Sequence, residues 1–466
     1  MRKYIIGITC SIILTPVFTN GQTVNMSLDD CLKYAEKNQV KIKNSLLDQQ
    51  SVLAKNKEIT GMAYPQLKAK GGVSYAPLVA AFEVPNFIKS AIAGDEASGQ
   101  SGLVKDEAIN DDVRNNTPNT IPLAFQPKWS TTGSLEASQI LFDPTVMVAL
   151  QARKAYEELA SKSVELSVQD VKVGVTKAYY NVLIAEKQME LVIQNISRMQ
   201  QMEFETKEIY KQGFAEKIDV DRITVTLNNL QTQKIRIDQR ISLAYMALKF
   251  QMGMSLSQQI ALTDKLSEQA RISQLLVEQL DFNSRNEYQL LQIQKDFYSY
   301  DVKRYRLGWM PSLSLFANSG YTLYNDVRLF DPKDSWQRSA LVGTSLNIPI
   351  FDGLQRRQKM KQAELTVQKT ENDIDNLKSA MMLEEQSAKV GLKNNLLALE
   401  NQKMNMELAE NVYNTSSIKY KEGVGSSLEI MNAESSLKEA QTNYFLALYE
   451  VMTSYVDLQK ALGLLK

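Results

Sequence analysis

The side chains that carry most protein chemistry are scarce in this sequence. Histidine is absent, which removes the commonest general base and the commonest transition-metal ligand. Two cysteines are present. Cys10 lies inside an N-terminal apolar run, and Gly7-Ile8-Thr9 before it makes a poor lipidation box. Cys31 sits among helix formers and reads as a small buried residue rather than a reactive thiol. Neither belongs to a ligand cluster, so no metal site and no cofactor are expected. Paired carboxylates occur at Asp111-Asp112, but nothing groups them with a nucleophile or metal ligands. No G-x-x-x-x-G-K-[ST] loop is present to cradle a nucleotide, so the chain does not power anything itself. Charge balances at 53 basic and 53 acidic residues, and no strong net field would draw in nucleic acid. An enzyme is not expected.

The elements around these residues are more informative. Arg2 and Lys3 precede an apolar run from Tyr4 to Leu14, and Thr15 to Gly21 is short and rich in small residues. That is the pattern of a signal peptide over 1–21, which predicts export. If it is removed, Cys31 is the only cysteine left and no internal disulfide can form. No later stretch has the ~18 consecutive apolar residues of a membrane-spanning helix. Any membrane insertion must take another route.

The chain is duplicated. Tyr210-Lys211-Gln212-Gly213 recurs 210 positions later as Tyr420-Lys421-Glu422-Gly423, and Ile218-Asp219-Val220 recurs as Leu428-Glu429-Ile430. Leu227, Gln231, Thr232, Tyr245 and Gly253 recur in the same register as Leu437, Gln441, Thr442, Tyr455 and Gly463. Ile140-Leu141-Phe142-Asp143-Pro144 answers Ile350-Phe351-Asp352-Gly353, and Tyr64-Pro65-Gln66-Leu67 answers Met310-Pro311-Ser312-Leu313. Two repeats follow, 22–253 and 254–466. Each reads as a helix, two strands, a long helix (144–210 and 353–420), a tip and a return helix. Two copies are too few for a solenoid. The first repeat carries a surplus at 77–127, rich in Gly, Ser, Asn and Pro, which predicts an enlarged loop joining its two strands. The second repeat's strands fall within 311–350.

Val164, Val168, Val171, Val175, Ala178, Val182, Ala185, Met189, Val192, Ile196 and Met199 alternate by four and three, a coiled-coil seam. A continuous helix over 144–210 would be roughly 100 Å long. Leu437, Ala440, Tyr444, Leu448, Val451, Tyr455, Leu458 and Leu462 carry a similar stripe on the last helix. A lone hairpin of this length cannot cover its stripe, which leaves a rod-like coiled coil or a wall of helices from several chains. The strand segments alternate instead. Val342, Thr344, Leu346 and Ile348 share one face, and Gly343, Ser345 and Asn347 the other. Each run is near the ~10 residues of a tilted transmembrane strand, with Trp129, Trp309 and Trp336 in or beside them. Alternation alone also suits a soluble antiparallel sheet with one wet face. Four strands cannot close a water-filled barrel, and open edges cannot face lipid, so a membrane reading demands several chains.

The duplication, the Pro349-Ile350-Phe351-Asp352-Gly353 junction, the strand-opening prolines Pro65 and Pro311 and the Y-x-x-G tips together resemble the TolC-type outer-membrane efflux protein family. The resemblance covers essentially the whole mature length. It implies a mixed α and β fold: a transmembrane β-barrel shared by three chains, four strands each, continuing into a long periplasmic α-helical coiled-coil tunnel. It implies the outer membrane of a Gram-negative bacterium, a homotrimer contacting outer-membrane lipid, a periplasmic adaptor and an inner-membrane pump of RND or ABC type. Carried over by position, Tyr420 matches the gate tyrosine and Asp219 the gate aspartate. The gate arginine falls on Gly425, so its salt bridge is lost. Glu429 keeps one pore-narrowing carboxylate, and Asn432 replaces the other. A gate held less tightly, or by other pairs, is expected. Gly213, Gly423 and Gly425 read as turn glycines whose bare backbone lets an adaptor approach. Pro349, Phe351, Asp352 and Gly353 read as the place where the last strand becomes a tunnel helix, with Arg356, Arg357, Lys359 and Lys361 following as a solvated helix face.

The function expected is a passive exit duct of a tripartite efflux system. The alternatives are a conduit for type I protein secretion and, in a different class, a non-channel periplasmic coiled-coil protein.

Overall fold

The computed structural model describes residues 24–93, 103, 107–124, 127–264, 273–325 and 336–465. The leader read at 1–21, with Cys10, lies outside them. In chain order the elements are β1 (Val24–Met26), α1 (Leu28–Asn38), α2 (Val40–Gly61), β2 (Gln66–Tyr75), β3 (Ala81–Pro85), α3 (Phe87–Ala93), α4 (Glu107–Asn116), β4 (Thr120–Ala124), β5 (Trp129–Phe142), α5 (Pro144–Lys211), α6 (Lys217–Met252), β6 (Ile260–Leu262), α7 (Asn286–Leu307), β7 (Ser312–Asn325), β8 (Gln337–Asn347), α8 (Gln355–Lys421) and α9 (Ser427–Ala461). They fall into two compact units. One comprises Met1–Lys55, Ala152–Val302 and Lys361–Lys466, and the other Asn56–Gln151 and Lys303–Met360.

The second unit holds a four-stranded sheet in the order β2-β5-β7-β8, antiparallel throughout. Its register sorts the side chains by chemistry. Leu67 pairs with Ala137, Ala137 with Ala317, and Ala317 with Val342. Ala69 and Leu135, Leu313 and Leu346, and Tyr75 and Trp129 extend the same face. The Tyr75 and Trp129 rings meet at 4.4 Å at its end. The other face carries mostly polar side chains, Lys68, Lys70, Ser134, Glu136, Asn318 and Thr322, with Phe316, Tyr324 and Leu341 among them and Lys70 and Glu136 paired at 2.6 Å. Strand side chains alternate with period two, so one register fixes both faces. The apolar face is bare: Leu67 is 73% and Val342 72% exposed. Neither β2 nor β8 has a second sheet neighbour among the described residues.

The surplus at 77–127 departs from the expected loop wherever it is described. β3 and β4 pair antiparallel, Ala81 with Ala124 through Pro85 with Thr120. Short helices α3 and α4 lie between them in sequence. The polar run that suggested a loop helps to pin this fold. Asn86 is buried and donates through Nδ2 to the Pro118 carbonyl at 3.1 Å. Lys89 Nζ donates to Thr117 O at 2.7 Å and to Asn119 Oδ1 at 2.6 Å. Asn and Pro are turn formers locally, but tertiary hydrogen bonds decide whether a turn-rich stretch is ordered.

In the first unit the long seam is buried largely as its spacing predicts. Val171, Val175, Val182, Ala185, Val192 and Met199 of α5 are buried, as are Leu437, Ala440, Leu448, Val451 and Leu458 of α9. The two long helices, α5 and α8, have 68 and 67 residues. β1 and β6 pair in parallel, Val24 with Ile260 through Met26 with Leu262, a contact that three-residue runs did not announce. Cys31 is fully buried beside this pair, in a core with Ala35, Tyr179, Leu248 and Val456. Burial pushes its thiol up to about 12, with Asp30 and Asp264 adding to the shift. The thiolate is the reactive form, so Cys31 is expected to resist alkylation in the native protein at neutral pH. Modification at the rate of a denatured control, read by mass spectrometry, would contradict this.

Candidate functional site

Both long helices stop the same way. Gly213 takes φ +83° and Gly423 φ +76°. Gly213 N donates to Tyr210 O at 2.9 Å and Phe214 N to Ile209 O at 3.1 Å. Gly423 N donates to Tyr420 O at 3.0 Å and Val424 N to Lys419 O at 2.9 Å. This is the paired closure that satisfies the last carbonyls of a helix, and it needs a left-handed residue. A Cβ on either glycine would meet open space, so the backbone there is bare on its outer side. Gly425 differs. A Cβ there would stand 3.0 Å from both Lys419 Cβ and Tyr420 N, which explains a glycine at this position in this chain.

The residues expected at the gate fall around these turns, in the first unit. Asp219 stands in the first turn of α6 and is half-buried. It accepts a hydrogen bond from Ser427 Oγ and lies 3.7 Å from Arg222 Nη1, which in turn lies 3.4 Å from Ser427 Oγ. Asp219 also accepts from Glu216 N at 3.3 Å, closing the start of α6. The expected loss of an arginine partner at Gly425 is therefore met inside the chain by two groups that position matching did not find. Arg222 follows Asp219 by three, a helix spacing that could have flagged it. Ser427 lies 208 residues away in sequence and is buried, and no local signal marks it.

Tyr420 packs at the edge of an apolar cluster formed by Met199, Met202, Ile223, Tyr413, Ile430 and Leu437. Its hydroxyl lies beside that of Thr206 without the geometry of a hydrogen bond, and both are buried. Burial pushes the phenol up, and the Asp219 carboxylate adds to it. Glu429 is exposed and 3.5 Å from Lys419, while Asn432 is exposed one turn further along α9. The structure thus brings Asp219, Tyr420 and Glu429 to the two turns and leaves Asn432 on an open face. Two exposed apolar residues were not anticipated. Phe214 is 84% and Val424 78% exposed, each directly after a tip glycine.

The two strand-to-helix junctions lie in the other unit and are solved differently. Asp143 caps α5: its Oδ1 accepts from Thr145 N at 2.7 Å and Val146 N at 3.2 Å, with Pro144 opening the helix. Pro suits this position because its missing N–H would have no partner there. At the second junction β8 ends at Asn347, before Pro349. Gly353 then takes φ +64° and Leu354 φ +65°, and Asp352 Oδ2 accepts from Arg356 N at 3.0 Å. Leu354 is the only non-glycine residue with positive φ among those described. Two left-handed residues in sequence turn the chain into α8 where the first repeat needs only an Asp-Pro pair. Ile350 and Phe351 are almost wholly exposed beside the turn, at 94% and 80%.

No group of His, Cys, Asp or Glu that could hold a metal ion occurs among the described residues. Asp111 and Asp112 lie on α4, engaged by Arg114 at 3.8 Å and by Asn116 Nδ2 at 2.5 Å. No described helix is long and apolar enough to cross a membrane.

Comparison with known proteins agrees with this architecture. Residues 286–464 match the family model of outer membrane efflux proteins. The chain is 23% identical over 348 residues to the alkaline protease secretion protein AprF of Pseudomonas aeruginosa, covering 72% of this chain and 70% of that protein. It is 19% identical over 336 residues to the outer membrane protein TolC of Vibrio cholerae, covering 72% and 77%. The crystal structure of the outer membrane protein VceC of Vibrio cholerae shares the fold at a TM-score of 0.67 and 14% identity, over 94% of this chain and 96% of that one. The second repeat thus matches the outer membrane efflux protein family, and the chain as a whole shares the fold of the TolC-type outer-membrane channels it resembles.

Proposed function

We propose that the chain is the outer-membrane exit duct of a tripartite export system, passively conducting what an inner-membrane pump delivers through a periplasmic adaptor. The observation that carries this reading is the four-stranded sheet with a bare apolar face, a polar face and two open edges. In lipid every backbone donor and acceptor needs a protein partner, so such a sheet is stable there only in a closed ring. Three chains would give twelve strands, an even number in the range of outer-membrane barrels, with apolar side chains outward and Lys68, Lys70 and Glu136 toward the lumen. The helices support several chains independently. Leu383, Val390, Leu397 and Met404 of α8 recur every seventh residue and are all exposed. Val225, Ile235, Leu243, Met246 and Phe250 form a second bare stripe on α6. Stripes of this kind belong against neighbouring helices, and two further copies of the chain supply them. A soluble coiled-coil protein has no use for the sheet's apolar face. The reading is a conduit, with no chemistry performed on the cargo.

The gate reading places Asp219, Tyr420, Glu429 and Asn432 at the periplasmic closure. The adaptor reading places Gly213, Gly423 and Gly425 under its approach, with Phe214 and Val424 as apolar contacts. The similarity to a protein named for alkaline protease secretion favours protein cargo as the second reading. A photo-crosslinking residue at Val424, whose exposed side chain takes no part in the backbone closure of the helix, tests both. Capture of a periplasmic adaptor in living cells is the expected result, and the pump that works with it distinguishes small-molecule efflux from protein secretion. A trimeric outer-membrane protein that captures only itself would reject the tip as the docking site.

A further inference from the structure

Glu434 is the group in the helical unit that the gate reading leaves unexplained. It lies on α9, five residues beyond Glu429, and is 2% exposed. Neither carboxyl oxygen has a hydrogen-bond partner among the described residues. Its α9 neighbours Ile430, Ala433 and Leu437 belong to an apolar cluster with Met199 and Met202 of α5, Ile223, Leu227 and Leu230 of α6, and Tyr413 of α8, and the Tyr413 phenol feels the Glu434 carboxylate. The charged and titratable neighbours are few. From α5 comes Arg198, which lies 3.6 Å from Glu410 of α8, sits 5.3 Å over the Tyr413 ring and donates to Asn195. The Arg198 Nε is buried and unpartnered. Glu205 of α5 acts on Tyr413 through its charge, and α8 contributes Tyr413 and Glu410. Lys438 stands one turn along α9 itself. The α6 residues of the cluster are apolar.

The duplication supplies an internal control. Subtracting 210 maps Glu434 onto Thr224 and Tyr413 onto Glu203. In the first repeat the acid is on the long helix, and Glu203 is satisfied by Thr224 Oγ1 at 2.7 Å and Lys207 Nζ at 2.9 Å. Those two donors hold its carboxyl below the ordinary range, the Thr224 bond most of all. In the second repeat the acid has moved to the return helix, opposite a tyrosine ring, and lost both donors. Burial there pushes Glu434 up to about 7, against the opposing pull of Arg198 and Lys438. A buried acid without donors favours its neutral form.

We propose that Glu434 is a proton-operated clamp on the tip. Protonated, it packs as a neutral side chain and holds the α5–α6 and α8–α9 hairpins together. Ionised, it draws Arg198 away from Glu410 and loosens them. The inference deepens the gate reading and rests on it for its effect on conduction. In the loosened state the carboxyl is solvated and titrates in the ordinary carboxylate range. The packed state therefore prevails fully below that range. It loses up to about tenfold of its advantage per pH unit as pH rises toward about 7, and no more above.

The test uses the full-length protein in planar bilayers, with the pH on the tip side stepped from about 5 to about 8. Conductance of the wild type is expected to rise with pH. Glu434→Gln, a neutral isostere, is expected to stay low and flat. Glu439→Gln, which removes an exposed acid five residues along the same helix and outside the gate residues, should keep the wild-type slope. A wild-type profile in Glu434→Gln overturns the clamp, as does a flat wild-type profile. A second readout needs no variant and no conduction: hydrogen exchange of 427–441 in the wild type, corrected for intrinsic rates. Protection that falls as pH rises supports the clamp even if no channel activity is seen, an outcome that would sink the duct reading alone. Protection independent of pH overturns the clamp.

Discussion

Val342→Arg is expected to remove the protein from the outer membrane, while Asn318→Arg leaves it there. The two positions are near mid-strand on β8 and β7, and they face opposite sides of the sheet. Val342 lies on the apolar face at 72% exposure, and Asn318 lies on the face that carries Lys70 and Glu136. An arginine facing lipid at the bilayer midplane costs about 2–4 kcal/mol. A ring of three chains carries the substitution three times, so the total is about 6–12 kcal/mol, as large as the stability of an ordinary domain. On the lumen side the same side chain meets water. Trimer yield in outer-membrane fractions reads the difference. Equal yields for the two variants would mean that the apolar face does not meet lipid, and the barrel reading would fall with it.

Asp219→Ala is expected to raise resting conductance by roughly tenfold. The carboxylate accepts from Ser427, which is buried, and stands beside Arg222. Hydrogen bonds to charged groups contribute about 1.5–3 kcal/mol. Asp219 keeps 21% of its side chain in solvent and Arg222 keeps 40%, so the lower end applies, near one decade in the closing equilibrium. Tyr420→Phe separates contributions within the chain from those between chains. Its hydroxyl has no bonded partner among the described residues, so the substitution should change little unless a neighbouring copy supplies an acceptor. If Tyr420→Phe alone opens the channel, that bond is between chains. If Asp219→Ala with Tyr420→Phe conducts no better than the wild type, these two residues do not hold the gate.

Which parts of this were legible in one dimension follows the range of the interactions involved. The α5 seam could be read because a buried helix face repeats every three or four residues, and Val171, Val175, Val182 and Val192 are buried accordingly. The strand faces could be read because Leu67, Ala69 and Val73 alternate with Gln66, Lys68 and Lys70. The tips could be read because a left-handed helix end calls for glycine, at Gly213 and Gly423. The surplus at 77–127 was read as a loop because its Asn, Gly and Pro residues are turn formers, yet Asn86 and Lys89 tie it into a paired fold.

The sequence by itself determined the class of the molecule: a duplicated, histidine-free chain of long helices and short alternating strands. Composition and periodicity are local properties, and they suffice for that. The tertiary structure alone decided who meets whom. It set Ser427 on Asp219, paired β1 with β6, and buried Glu434 without a donor. Each of these depends on side chains or backbone far apart in sequence, or on the solvation of one atom, and helical or strand periodicity contains neither.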